Sequence, residues 1–341
     1  MTRSRLLFLA LTLVLLAVTA CGGASDSTTG GSSTDKGAKS LSLVAYSTPQ
    51  VVYDEIIPEF QKTGSGEGVG FKSSFGASGE QSRAVEAGLK ADVVSFSIEP
   101  DITRLVDAGL VGKDWASKPH KGLVTTSVVS FIVREGNPKN IKTWDDLVRP
   151  GVSVLTPNPF TSGAAKWNLL AGYGAKSDGG KNPEAGLSYL RKLITDNVKV
   201  QDKSGREALQ TFTSGTGDVL LSYEYEATTA RKKGEKLDYV IPEDTINIEI
   251  PIAVTANAKP EAQEFVDFAL SEAGQAKFAD WGYRPVNEQV LAANQSKFPE
   301  PAGLFTIRDL GGWSKVNDEL FDPEKGSIAK IEEEAGVSTA S

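Results

Sequence analysis

The sequence predicts an α/β protein of two lobes, each a mixed, mainly parallel sheet flanked by helices. Three observations lead there. Short β-rich runs alternate with helical stretches along nearly the whole chain, which is the pattern of a mainly parallel sheet. About 300 residues follow the N-terminal leader, more than one comfortable core, so two lobes are expected. A long β-branched run, Thr125–Val133, then leads into the turn signal Gly136-Asn137-Pro138 and divides two such alternating series.

In the first series, Leu41–Tyr46 reads as a strand, Tyr53–Lys62 as a helix, Val69–Phe75 as a strand and Gly79–Leu89 as a helix. The apolar run Asp92–Phe96 is another strand, followed by a helix over Asp101–Ala108. The second series places strands at Val152–Thr156, Val198–Gln201, Val219–Tyr223 and Ile248–Thr255. Helices are expected over Ala164–Tyr173, Asn182–Thr195, Arg206–Thr213, Tyr225–Lys233, Pro260–Leu270 and Glu272–Trp281. The polar, acidic tail from Glu324 is expected to be a helix with a frayed end, and no repeat of fixed period occurs. These elements divide the body into a first lobe over 40–122, a second over 123–241, and a return to the first lobe with C-terminal helices over 242–341.

The leader is not part of that fold. Arg3 and Arg5 precede an apolar or small-residue run, Leu6–Ala20, too short to span a bilayer but suited to the core of a secretory signal. It ends in Val18-Thr19-Ala20-Cys21, and Cys21 is the only cysteine. Small residues before such a lone cysteine resemble a bacterial lipoprotein signal. That resemblance implies a signal peptide over 1–20, cleavage before Cys21, and lipidation of that residue. Several acyl chains anchor stably where one would be marginal. The Gly/Ser/Thr-rich stretch 21–39 has too little apolar surface to pack and reads as a flexible tether. The body is therefore expected on a leash at the outer face of a membrane.

Composition narrows the chemistry. A net charge of −8 without a basic run argues against nucleic-acid binding, which rests on Lys and Arg at phosphates. One Cys and one His, His120, exclude an internal disulfide framework and leave no His-rich or paired-cysteine metal centre. No cofactor is expected. His120 lies in a polar loop, and Gly64–Gly70 reads as a surface turn because it precedes a strand instead of joining strand to helix. Glu224 and Glu226 are either a paired-carboxylate acid/base site or complements to a helix macrodipole.

Three junctions carry a sharper signal. Each joins a strand end to a helix start through hydroxyl and glycine residues: Ser74–Gln81, Asn158–Ala165 and Lys203–Glu207. Ser78 with Gln81, and Ser204 with Glu207, fit capping boxes. Helix N-termini present unpaired N–H groups and partial positive charge, and glycine lets a ligand come close. Together they can bind an anion without a basic side chain. Each junction alone also reads as an ordinary helix cap.

Several segments, taken in order, resemble the sulfate/thiosulfate-binding proteins of bacterial ABC importers. They are Phe75–Val85, Ala91–Val94, Val133–Lys139, Trp144–Leu147, Pro150–Val152, Thr156–Asn168 (Thr-Pro-Asn-Pro-Phe-Thr-Ser-Gly-Ala-Ala-Lys-Trp-Asn), Asp218–Leu221, Tyr283–Pro285 and Leu304–Ile307. The resemblance implies a type II periplasmic-binding-protein clamp that holds one dehydrated oxyanion in its cleft by neutral donors. It places donors at Ser78, Ser162, Gly163, Ala164 and Gly205. Ala164 stands where the family usually has Gly, and Tyr223 where it has a Trp indole donor. Tyr46-Ser47-Thr48-Pro49 replaces the family's Tyr-Asp-Pro, so Ser47 and Thr48 are hydroxyl donors or caps. The implied partners are sulfate or thiosulfate, a membrane permease and its ATPase, with the chain a monomer that catalyses nothing. Molybdate, tungstate or phosphate are alternative ligands. A phosphate- or sulfate-ester hydrolase using Ser78 or Ser162 as nucleophile is the alternative of another class.

Overall fold

In this computed structural model the structure describes residues 28–29 and 39–339. The leader 1–20, Cys21 and most of the tether lie outside the described residues. Thr28–Thr29 pair antiparallel with Ser73–Ser74. Among the described residues, no helix is long and apolar enough to cross a membrane.

The first lobe is built on strands Gly70–Gly76, Ser40–Tyr46 and Val93–Ser95, adjacent and parallel in that order. The second is built on Val198–Asp202, Val154–Pro157 and Val219–Tyr223, again parallel. Two long strands, Leu123–Arg134 and Asp244–Val254, run antiparallel to each other and belong to both lobes. Residues 252–254 close the first lobe's sheet against Val93–Ser95, while 129–133 close the second lobe's against Val219–Tyr223. The expected strand Thr125–Val133 is thus the core of one arm of a two-stranded crossing. Val128, Val129, Phe131, Ile132 and Val133 are all buried, as in a strand covered on both faces. The register shifts between Ile250 and Pro251, where proline supplies no N–H to the ladder.

Helices fill both faces through apolar stripes. Phe265 of helix Pro260–Leu270 meets Phe60, Phe71 and Tyr53 at ring-centroid distances of 5.4, 4.8 and 6.3 Å, which fixes that helix on the first lobe. The chain does not end there. Gly303–Phe305 pairs with Asp244–Ile246, Trp313 packs edge-on against Trp167 at 4.8 Å, and helix Ser327–Glu334 reaches the second lobe. There Gln201 Nε2 donates to Glu332 Oε2 at 2.6 Å, and Arg191 pairs with Glu334 at 3.1 Å.

Candidate functional site

The parallel strands of both lobes end at one cleft, where α/β sheets place their ligands. Ser47 and Thr48 follow Ser40–Tyr46, Ser78 follows Gly70–Gly76, and Ser97 follows Val93–Ser95. From the second lobe, Ser162 and Gly163 follow Val154–Pro157, Ser204 and Gly205 follow Val198–Asp202, and Tyr223 ends its own strand. The lobes touch across this cleft. Trp167 Nε1 donates to Ser97 O at 2.6 Å, Lys203 pairs with Glu80 at 2.8 Å, and an Arg206 N–H donates to Ser47 O. Tyr225 OH donates to Tyr46 OH at 3.1 Å and lies 2.7 Å from Thr48 Oγ1.

These contacts bring the three junctions together. A Cβ added to Gly163 would lie 2.4 Å from Ser97 Oγ, and one added to Gly205 would lie 3.3 Å from Thr48 Cγ2. One added to Gly79 would lie 3.1 Å from Thr161 O. Each glycine is therefore a place where one lobe's helix start meets the other lobe, and a side chain would hold them apart. Ser47, Ser78, Ser162, Ala164 and Tyr223 are all buried at this junction.

Ser162 is the N-cap of helix Gly163–Lys176, with extended backbone (φ −112°, ψ 120°), yet its side chain makes no cap hydrogen bond. Ser204 caps helix Gly205–Thr213 as expected, accepting from Glu207 N at 3.3 Å. Ser78 departs from the expected capping box. Ala77 is the N-cap and Ser78 is already the first helical residue, while Gln81 turns to Ser74 Oγ at 3.0 Å. The Ser78 hydroxyl instead donates to Asp101 Oδ2 at 2.6 Å and accepts from Ser97 N at 3.0 Å. What Ser78 still offers the cleft is its N–H, in the first helical turn where no intrahelical acceptor exists.

Ser97 carries no local motif, and sequence reasoning passed over it. Its Oγ and the Tyr223 hydroxyl are buried with no partner in the described structure. Such groups are costly to leave unpaired, by about 1–3 kcal/mol each. Burial, reinforced by Tyr46 and opposed by the adjacent Ser97 side chain, pushes the Tyr223 phenol well above its ordinary range, so it stays a neutral donor. The one sequence signal for Ser97 is its place just past a short apolar strand, at the end where ligands gather.

Charged groups stand behind these walls. Burial raises the Asp101 carboxyl above its usual range, opposed by the Ser78 hydrogen bond and by Lys166, Arg104 and Arg83. Burial pushes the Lys166 ammonium down to about 8, and Asp101 counters the shift. Glu226 hydrogen-bonds Ser222 Oγ, and burial raises it to about 7, opposed by Ser222 and Arg206. Glu224 takes a different partner, the Arg284 guanidinium at 2.7 and 3.3 Å. The two glutamates open helix Glu224–Lys232 as expected, but they are buried in separate hydrogen-bond sets and do not form a carboxylate pair. His120 sits on an exposed loop, with φ 53°.

The family model for bacterial extracellular solute-binding proteins matches residues 41–284. A sulfate-binding protein of Synechococcus elongatus is 42% identical over 325 residues, covering 91% of this chain and 91% of that protein. A thiosulfate-binding protein of Escherichia coli is 36% identical over 295 residues, covering 81% of this chain and 86% of that protein. The solved structure of the sulfate-binding protein SubI from Mycobacterium tuberculosis superposes with a TM-score of 0.81 at 49% identity, covering 83% of this chain and all of that one.

Proposed function

The chain belongs to the bacterial extracellular solute-binding protein family, and from that premise we propose that it is the substrate-binding subunit of an ABC importer for sulfate. The observation that carries the ligand reading is the meeting of three helix N-termini with the unpartnered Ser97 and Tyr223 hydroxyls in one interlobe cleft. The donors are the N–H groups of Ser78, Gly163, Ala164 and Gly205, and the hydroxyls of Ser162, Ser97 and Tyr223. Thr48 closes the Gly205 side, and Ser47 holds the lobes through its carbonyl. A site made of donors suits a fully deprotonated dianion, because a protonated anion needs an acceptor there. The net charge of −8 does not oppose this, since exposed charges beyond about 8 Å are largely screened at physiological salt.

The protein binds and delivers, and does no chemistry on its ligand. The Ser78 hydroxyl is held between Asp101 and the Ser97 N–H, and the sole histidine lies on an outer loop, so neither serine has an imidazole base. The chain works as a monomer outside the cytoplasm, tethered through a lipidated Cys21, and hands sulfate to a membrane permease with its ATPase.

Calorimetry with sulfate, thiosulfate, molybdate and phosphate tests the ligand, with sulfate expected to bind tightest or level with thiosulfate. Tighter molybdate or phosphate binding overturns the assignment. Release of phosphate or sulfate from an ester would revive the hydrolase. For the anchor, Cys21→Ala is expected to release the protein from membranes or leave an unprocessed precursor, read by fractionation. Mature, membrane-bound variant protein would refute it.

A further inference from the structure

The two helix starts of the second lobe, at Gly163 and Gly205, follow neighbouring strands whose last paired residues are Pro157 and Asp202. Beyond that pair, hydrogen bonds from Asn158 and Thr161 join the two loops. The Asn158 N–H donates to Asp202 O at 2.8 Å, carrying the ladder one step further. The Asn158 carbonyl accepts the Ser162 N–H at 2.9 Å. Its side-chain Oδ1 accepts the Phe160 N–H at 2.7 Å, an Asx turn that folds the loop back toward the helix. The other end of that amide, Nδ2, donates to Ser338 O at 3.1 Å, so the C-terminal tail fixes which way the amide faces. Pro159 holds Asn158 in extended backbone and fixes its own φ, which limits the loop further.

Thr161 supplies the cross-link. Its hydroxyl donates to Lys203 O at 2.8 Å, one residue before the cap Ser204, with Asn158 O the more distant acceptor at 3.3 Å. Its carbonyl faces the first lobe, 3.1 Å from a Cβ added to Gly79. Thr161 therefore meets all three junctions, yet neither it nor Asn158 is among the donors assigned above.

We propose that Asn158 and Thr161 are positioning residues of the oxyanion site, holding the N–H groups of Gly163 and Gly205 at the separation that one dianion bridges. The proposal rests on the oxyanion reading above. Donors serve a ligand best when they are held within about 0.5 Å of the productive geometry, because a site already in place spends little of the binding energy on ordering itself. Both residues act through the helix starts they join, not by contact with the anion.

The test pairs sulfate affinity by calorimetry with the melting temperature of the unliganded protein. Thr161→Val keeps the shape of the side chain and removes its hydroxyl, so sulfate affinity is expected to fall about 3- to 10-fold. Thr161→Ser keeps the hydroxyl and should stay within about twofold of the wild type. Asn158→Ala loses the turn acceptor and should weaken binding at least as much as Thr161→Val. Asn158→Ser, whose hydroxyl closes the same turn more weakly, should fall between Asn158→Ala and the wild type. A purely structural role would lower the melting temperature of Thr161→Val or Asn158→Ala and leave affinity, measured well below melting, at the wild-type value. That result overturns the proposal and leaves sulfate binding standing. Equal losses in Thr161→Val and Thr161→Ser also overturn it, since the bond to Lys203 O would then not be the cause. A wild-type protein that takes up none of the four oxyanions overturns the oxyanion reading itself, and the proposal with it.

Discussion

Ser78 on the first lobe and Ser162 on the second begin two helices at the same cleft, and each is followed by a glycine. Their hydroxyls are used in opposite ways. Ser78 is locked between a buried carboxylate and a backbone N–H of its own lobe, so it welds the end of one strand to the start of two helices. Ser162 holds the N-cap position yet makes no cap bond, leaving its hydroxyl for whatever enters. The first wall is braced from behind, and the second keeps its side-chain donor in reserve. A clamp needs both, because a donor costs least to recruit when the opposing wall does not rearrange.

The largest effect expected from this contrast comes from Gly163→Ala. The new methyl would sit 2.4 Å from Ser97 Oγ and 3.0–3.1 Å from Ile98 carbons, so it should hold the lobes apart. Sulfate affinity should fall by more than about 100-fold, equivalent to about 3 kcal/mol, while the unliganded melting temperature barely moves. Near-normal affinity would mean that the walls do not have to meet there. Next is Ser162→Ala, which removes one hydrogen bond to a charged ligand, worth about 1.5–3 kcal/mol or roughly 10- to 100-fold in affinity. A lowered melting point with intact affinity would make Ser162 an ordinary cap.

Ser78→Ala should do the reverse. It leaves Asp101 and the Ser97 N–H without a partner, at a stability cost of about 1–3 kcal/mol, with a smaller change in affinity measured well below melting. Equal effects on both serines would erase the contrast between the walls. The smallest effect concerns the carboxyl beside Gly205. Glu226 is raised from 4.5 to about 7, so its contribution to stability is full below about pH 4.5 and is lost as pH rises to about 7. Glu226→Gln should flatten that part of the melting-temperature profile, and an unchanged slope would show that Glu226 is not its source.

The frame of the molecule was legible because its strands are apolar and its helices amphipathic over many residues. Val219–Tyr223 and Pro260–Leu270 coincide with the expected spans, and most other boundaries lie within a few residues. The strands that escaped notice, Leu237–Val240, Arg284–Pro285 and Gly303–Phe305, are short, with little internal pattern, and exist because a long neighbouring strand offers them a ladder. The helical turns over Gly312–Phe321 begin at two glycines with positive φ, which read locally as a break. At the site, the three junctions were visible because helix starts have a local grammar. The Ser78 capping box misled because its partner, Asp101, is 23 residues away, and a short-range motif carries no trace of a long-range competitor. Ser97 was invisible for the same reason, since its importance comes entirely from what the fold brings to it.

The strand Asp244–Val254, shared by the two lobes, also sets an order of assembly. The first lobe's sheet is completed by the pairing of Ile252 with Ser95, 157 positions apart in the chain, whereas the strands of the second lobe other than this shared one all lie between residues 123 and 240. A chain that emerges N-terminus first presents the second lobe's own strands before the first lobe's sheet can close. Contacts so distant in sequence also form slowly. The sheet that is begun first is therefore the sheet that is closed last.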